Sequence, residues 1–318
     1  MAKGQITIVG MDAIGIALTL AIKQARPDAF VVAVDTDSRR LSNALKFGAV
    51  DRNDSNLAAS CREASLLILN VPPSQLRETL RQIGSQLREG VVVLDLAPVK
   101  VEVLNWVAEL LPDHVRHLGC HFVLHPDVAE PIAPKAELFH GAMFCMTPTV
   151  HTDEVAIKSG GDLARTIGAR PYIMDVYEHD GLLAAVEGMP GLVSAALLLT
   201  ATRSTAWYEL SQVAGSIFAR ATQPAMHPAI DAGAALTLNK LEVLRWLDAF
   251  LQSLKEVREA VNDGDDATLN RLLTEAAQQR EAWLADKPIA AWKDEDAVPG
   301  PPTELKRLDP LMPGWGRK

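Results

Sequence analysis

Ile6-Thr7-Ile8-Val9-Gly10-Met11-Asp12-Ala13-Ile14-Gly15 joins a short β-branched run to a helical pattern through a glycine-containing turn. Residues 6–9 read as a buried strand, and residues 14–24 carry the apolar spacing of the helix behind it. Further along, residues 30–34, 66–70 and 91–94 repeat the strand signal, with helical stretches over 39–47 and 74–87. Continuous apolar strands alternating with amphipathic helices imply a parallel sheet covered on both faces. The expected fold class is therefore α/β, an N-terminal Rossmann-type doubly wound sheet. Residues 142–146 and 170–174 read as later strands around a helix over 153–167.

Strand signals vanish beyond Glu178, where long Ala- and Leu-rich helical stretches cover 180–207, 234–261 and 266–283. We expect three parts: an α/β domain over 1–176, an all-α dimerisation and substrate domain over 177–287, and an extended tail over 288–318 carrying Trp292 and Trp315. Residues 192–202 are apolar nearly all round, which a surface helix does not tolerate. Burial in a subunit interface would satisfy them, so a homodimer through the C-terminal helices is expected.

The formal charge of −9 disfavours nucleic acid and acidic membrane surfaces as partners. Cys61, Cys120 and Cys145 are too scattered for a disulfide framework, and none forms the CxxC pair of a zinc site. No metal is expected. The first residues lack the regions of a signal peptide, and the apolar stretches fall short of a membrane span or are broken by Gly and polar residues. Those features suggest a cytoplasmic protein.

The turn Gly10-Met11-Asp12-Ala13-Ile14-Gly15 stands where G-x-G-x-x-G binds a dinucleotide. The first glycine permits the tight bend, the second lets backbone approach the pyrophosphate, and the third lets helix pack on strand. Here the second glycine is Asp12. Its carboxylate repels a pyrophosphate at the helix N-terminus, yet also caps that helix, worth about 0.5–2 kcal/mol. Asp35 ends the second strand 20 residues past Gly15, where an acid accepts the ribose hydroxyls of NAD. Arg39 and Arg40 follow closely and suit a 2′-phosphate, so NADP remains open beside NAD. Val71 and Pro72, after the strand at 66–70, complete the expected cofactor-binding set.

Two stretches resemble the prephenate/arogenate dehydrogenases: Leu138-Phe139-His140-Gly141 leading to Thr147-Pro148-Thr149, and Glu178-His179-Asp180 leading to Leu183-Ala184-Ala185-Val186. The similarity runs over roughly residues 5–285. It implies a Rossmann domain followed by a dimerising helical domain. The implied reaction passes hydride from a cyclohexadienyl carboxylate to the nicotinamide as carbon dioxide leaves. Gly119-Cys120-His121 occupies the place of the family's G-G-H-P segment, making His121 the expected catalytic residue, since an imidazole accepts a proton near neutral pH. His125, followed by Pro126, is the runner-up in the substrate site. Arg220 corresponds to the arginine that binds a substrate carboxylate, and Lys100 to the lysine of D-x-G-S-x-K.

Several positions depart from the family pattern. Ala97 and Pro98 replace the glycine and serine of D-x-G-S-x-K. Glu187 and Gly188 stand for the serine and histidine of S-H-L-P-H, and Gly215-Ser216-Ile217 replaces an aromatic-basic-acid run. Each lost polar contact is worth one to a few kcal/mol, roughly. The alternative is a non-catalytic relative that binds a dinucleotide or metabolite as a sensor or partner subunit.

Overall fold

The computed structural model describes residues 4–128, 132–226 and 229–285. The expected extended tail, with Trp292 and Trp315, lies outside them. The described chain divides between His179 and Asp180 into two compact units.

The first unit is built on strands β1 (Gln5–Val9), β2 (Phe30–Val34), β3 (Arg52–Asp54), β4 (Ala64–Leu69), β5 (Val92–Asp95), β6 (Arg116–Val123), β7 (Met143–Thr147) and β8 (Arg170–Ile173). Its helices are α1 (Ala13–Ala25), α2 (Ser38–Lys46), α3 (Leu57–Glu63), α4 (Pro73–Gly84), α5 (Val101–Leu110) and α6 (Glu154–Thr166). The strands form one sheet in the order β3-β2-β1-β4-β5-β6-β7-β8. From β3 to β6 all neighbours are parallel, the doubly wound arrangement expected from the alternating pattern.

Two strands are not evident in the sequence, β3 and β6. A third departure is direction: β7 runs antiparallel to β6, with His121 opposite Cys145. Strand β8 returns parallel to β7 through the crossover helix α6.

Side-chain alternation assigns the faces of the sheet. Ile6 and Ile8 of β1 enter the main core with Ile16 and Leu18 of α1, Leu118 and Cys120 of β6, and Leu163 of α6. Gln5 and Thr7 point the other way and are buried too. Both donate to the carbonyl of Ser60 in α3, at 2.9 and 3.1 Å, so neither buried polar group is stranded.

The described residues of the second unit form helices joined by short turns, with no strand among them. A run of 27 residues, Val176–Thr202, comprises α7 (Val176–Leu183), a π-turn (Ala184–Gly188) and α8 (Met189–Thr202). By length and composition alone it is apolar enough to cross a membrane, although Glu187, Gly188 and Gly191 interrupt it as the sequence indicates. Pro190, which has no N–H to give the ladder, follows directly on the π-turn, where the α-type bonding is already interrupted. Within this single chain Leu197 and Leu199 remain exposed.

Helices α9 (Trp207–Val213), α10 (Ser216–Thr222), α11 (Ala229–Leu238), α12 (Lys240–Asp263) and α13 (Asp266–Ala285) follow. The helix expected over 234–261 is split at Asn239, whose side-chain amide donates to the carbonyl of Asp180 at 2.7 Å. That tertiary bond holds Asn239 at φ −101°, ψ 32°, outside the helical range.

Candidate active site

The glycine turn is shaped by close backbone approach. Gly10 has φ 97°, and a Cβ there would lie 1.9 Å from the carbonyl oxygen of Asn70. A Cβ on Gly15 would lie 2.1 Å from the carbonyl oxygen of Gly10. Only glycine fits at either end of the turn. Gly10→Ala should therefore lower the unfolding free energy by more than about 2 kcal/mol, read as a shift of the urea midpoint.

The turn is latched to the neighbouring strands. Gly10 N–H donates to Val34 at the end of β2, and Asn70 N–H donates to Val9 at the end of β1, both at 2.8 Å. Asp35 is buried, and its Oδ2 accepts Met11 N–H at 2.7 Å while its Oδ1 accepts Asp37 N–H at 2.7 Å. Arg40 adds a cation 3.6 Å from Oδ2, whereas Arg39 pairs with Asp37. Gly10, Met11, Asp12, Ala13, Ile14, Gly15 and Asp35 thus come together at the carboxyl edge of the sheet. Val71 and Pro72 follow Asn70 at the same edge, Pro72 leading into α4.

Asp12 is the N-cap of α1: its Oδ1 accepts Gly15 N–H at 2.9 Å and the Nδ2–H of Asn70 at 2.7 Å. The cap uses only the amide of Gly15. Ala13 and Ile14, in the same first turn, keep amides with no partner inside the helix, which is how a helix start holds an anion. A dinucleotide fits these residues: two glycines that exclude side chains, open helix-start amides, and an acid at the end of β2.

His121 lies on β6 where that strand overshoots β5. The last β5–β6 pair is Asp95 with Gly119, so His121 stands two positions beyond it, still paired to β7. Alternation puts His117, Gly119 and His121 on one face and Leu118 and Cys120 on the other. The side chain of His121 is nearly buried, and its ring meets the edge of His179, centroids 5.6 Å apart and interplanar angle 82°. His179 is completely buried. It was not singled out as a site residue; the signal was its place in Glu178-His179-Asp180.

Lys100 is also wholly buried, as is Asp95. The ammonium donates to Asp95 Oδ1 at 2.5 Å, and His117 Nε2 lies 2.8 Å from Asp95 Oδ2. Burial pushes the Asp95 carboxyl up, but the Lys100 charge, then the His117 hydrogen bond and charge, outweigh it and bring the group to about 2. Lys100, expected from the sequence to bind substrate, thus has its charge paired with Asp95 inside the first unit. Asp95 and His117 are the residues that sequence reasoning missed here.

His125 lies in the loop after β6, its Nδ1 3.4 Å from Asp127 Oδ2. Arg220 is exposed on α10 in the second unit and makes no salt bridge among the described residues. The cysteines Cys61, Cys120 and Cys145 are all buried, and burial pushes the Cys61 thiol up to about 12.

Fold and turn together define a Rossmann-type α/β protein carrying a helical second unit. Residues 18–173 match the family described as prephenate dehydrogenase, nucleotide-binding domain, and residues 175–275 match prephenate dehydrogenase, dimerization domain. The chain belongs to the prephenate dehydrogenase family and is a dehydrogenase of that class. The first match begins past the Gly10–Gly15 turn, so Asp12 lies outside it.

Relatives include a prephenate dehydrogenase of Bacillus subtilis, 25% identical over 281 residues, covering 88% of this chain and 76% of that one. A cyclohexadienyl dehydrogenase of Zymomonas mobilis is 27% identical over 289 residues, covering 89% and 97%. Among solved structures, prephenate dehydrogenase from Aquifex aeolicus in complex with hydroxyphenyl propionate and NAD+ superposes with a TM-score of 0.79 at 21% identity, covering 89% of this chain and 99% of that one. The resemblance and the fold class read from the sequence are thus correct, and a non-catalytic relative is not favoured.

Proposed function

We propose that this protein is an NAD-dependent dehydrogenase that oxidises a cyclohexadienyl carboxylate of the prephenate or arogenate type, with loss of carbon dioxide and formation of an aromatic ring. The observation that carries the reading is the turn latched by Asp35, with glycines at both ends where no side chain fits. Support for the substrate class comes from the family and from relatives whose names specify prephenate or cyclohexadienyl substrates.

NAD, when bound, supplies a hydride acceptor. The Gly10–Gly15 turn, with Met11, Ala13 and Ile14, holds the pyrophosphate, and Val71 and Pro72 border the nucleotide. Asp35 accepts ribose hydroxyls, and its negative charge disfavours a 2′-phosphate, so NAD is preferred over NADP although Arg40 lies beside it. His121 accepts the proton of the ring hydroxyl as hydride departs, the work of a positioned general base. Arg220 receives a substrate carboxylate, a task suited to its planar fork of donors, and His125 borders the substrate.

Purified protein given NAD+ and prephenate, or NAD+ and arogenate, should generate NADH absorbance at 340 nm, roughly in the range of 1–1,000 turnovers per second. No NADH with either substrate and either cofactor would remove this reading.

The exposed apolar residues of α8 support a homodimer built through the second unit. Leu197→Arg should shift the species seen by light scattering at micromolar concentration from dimer to monomer, because a charge in a closed apolar contact is unpaired. A wild-type protein that is already monomeric would overturn the dimer.

A further inference from the structure

We propose that Asp12 sets how tightly the glycine turn holds a pyrophosphate-bearing nucleotide, and that Asn70 is the residue that positions its carboxylate. The proposal rests on the nucleotide-binding role given above and deepens it. At φ −76° and ψ −168° Asp12 has extended backbone that any residue adopts, unlike Gly10 at φ 97°. Sterics in the turn therefore tolerate a side chain at this position, and what the acid changes is charge.

That charge has no cation to offset it among the described residues. Oδ1 is engaged by Gly15 N–H and by Asn70 Nδ2–H, and Oδ2 has no hydrogen-bond partner among the described residues. The helix start carries the positive end of the dipole, roughly half an elementary charge, and the carboxylate already draws on it. A pyrophosphate seeking the same end meets a like charge. Because Asp12 is exposed, water and salt screen this repulsion, so it lowers affinity by a modest factor without closing the site.

Asn70 decides where that charge sits. Its backbone N–H is tied to Val9 at 2.8 Å, and its side-chain amide donates to the carbonyl of Gly10 at 3.2 Å and to Asp12 at 2.7 Å. The amide is a fixed post that draws the carboxylate back against the cap. Without it, the acid gains rotamers that reach over the open amides of the first turn.

Calorimetric titration of the full-length protein with NAD+ tests both residues. Asp12→Asn keeps an oxygen for Gly15 N–H and removes the charge; its Kd should fall about three- to tenfold at low ionic strength, and the gain should shrink in about 0.5 M salt. Asn70→Ala should raise the wild-type Kd about threefold, yet have little effect in an Asp12→Gly background, where no carboxylate is left to hold. Unchanged or weaker binding by Asp12→Asn at low salt would overturn the role of Asp12. An equal Asn70→Ala effect in both backgrounds would overturn positioning. If wild type, Asp12→Asn and Asp12→Gly all fail to bind NAD+ or NADP+ at millimolar concentration, the nucleotide reading falls and this proposal with it.

Discussion

A His121→Asn variant should turn over its cyclohexadienyl substrate about a hundred- to ten-thousand-fold more slowly, while its Kd for NAD+ stays within about twofold of wild type. The split follows from position. His121 is on β6, two residues beyond the last β5 pair, whereas the glycine turn is latched separately by Asp35 through Met11. Asparagine is close in size and keeps an amide against His179, so packing is disturbed little, but it cannot accept and hold a proton at neutral pH. Stopped-flow NADH formation gives the rate, and calorimetry gives the affinity. Equal turnover in variant and wild type would take His121 out of the chemistry and turn attention to His125.

Asp95→Asn should destabilise the protein by about 3–5 kcal/mol, measured by urea unfolding. The substitution leaves the buried Lys100 ammonium facing a neutral amide, and an uncompensated internal charge is among the largest single-residue losses a domain sustains. The wild-type pair also makes stability depend on acid. The carboxyl titrates at about 2 in the folded chain against an ordinary value of 3.8, so its contribution is complete above the ordinary value and is lost as pH falls from there towards 2. Asp95→Asn should lack that segment of the acid-unfolding curve. An unfolding midpoint within error of wild type would show that the pair contributes nothing net.

Much of the first unit is legible in the sequence because its determinants are local. A strand, a glycine turn, a helix and an acid at the next strand end lie within residues 6–35, and the structure assembles them at the sheet edge. What escapes the sequence is whatever depends on partners far along the chain. Strand β6 reads Arg-His-Leu-Gly-Cys-His-Phe-Val, with Leu118 and Cys120 entering the core while His117, Gly119 and His121 share the opposite face, the first two against the Asp95–Lys100 pair. That face breaks the apolar run expected of an interior parallel strand. The internal pairing of Lys100 is hidden because His117 joins Asp95 only when β5 and β6 pair. The antiparallel course of β7 has no local signature either, since alternation is the same in both directions.

The π-turn between α7 and α8 carries a last consequence. Met189 N–H reaches back five residues to the carbonyl of Ala184, one more than an α-turn spans. One surplus residue rotates everything downstream by about 100°. Two azimuths therefore coexist on a single rod: substitutions before Ala184 and after Gly188 retune different flanks. Excising one residue from the wide turn would leave a helix but spin Leu197 and Leu199 out of alignment with whatever they meet.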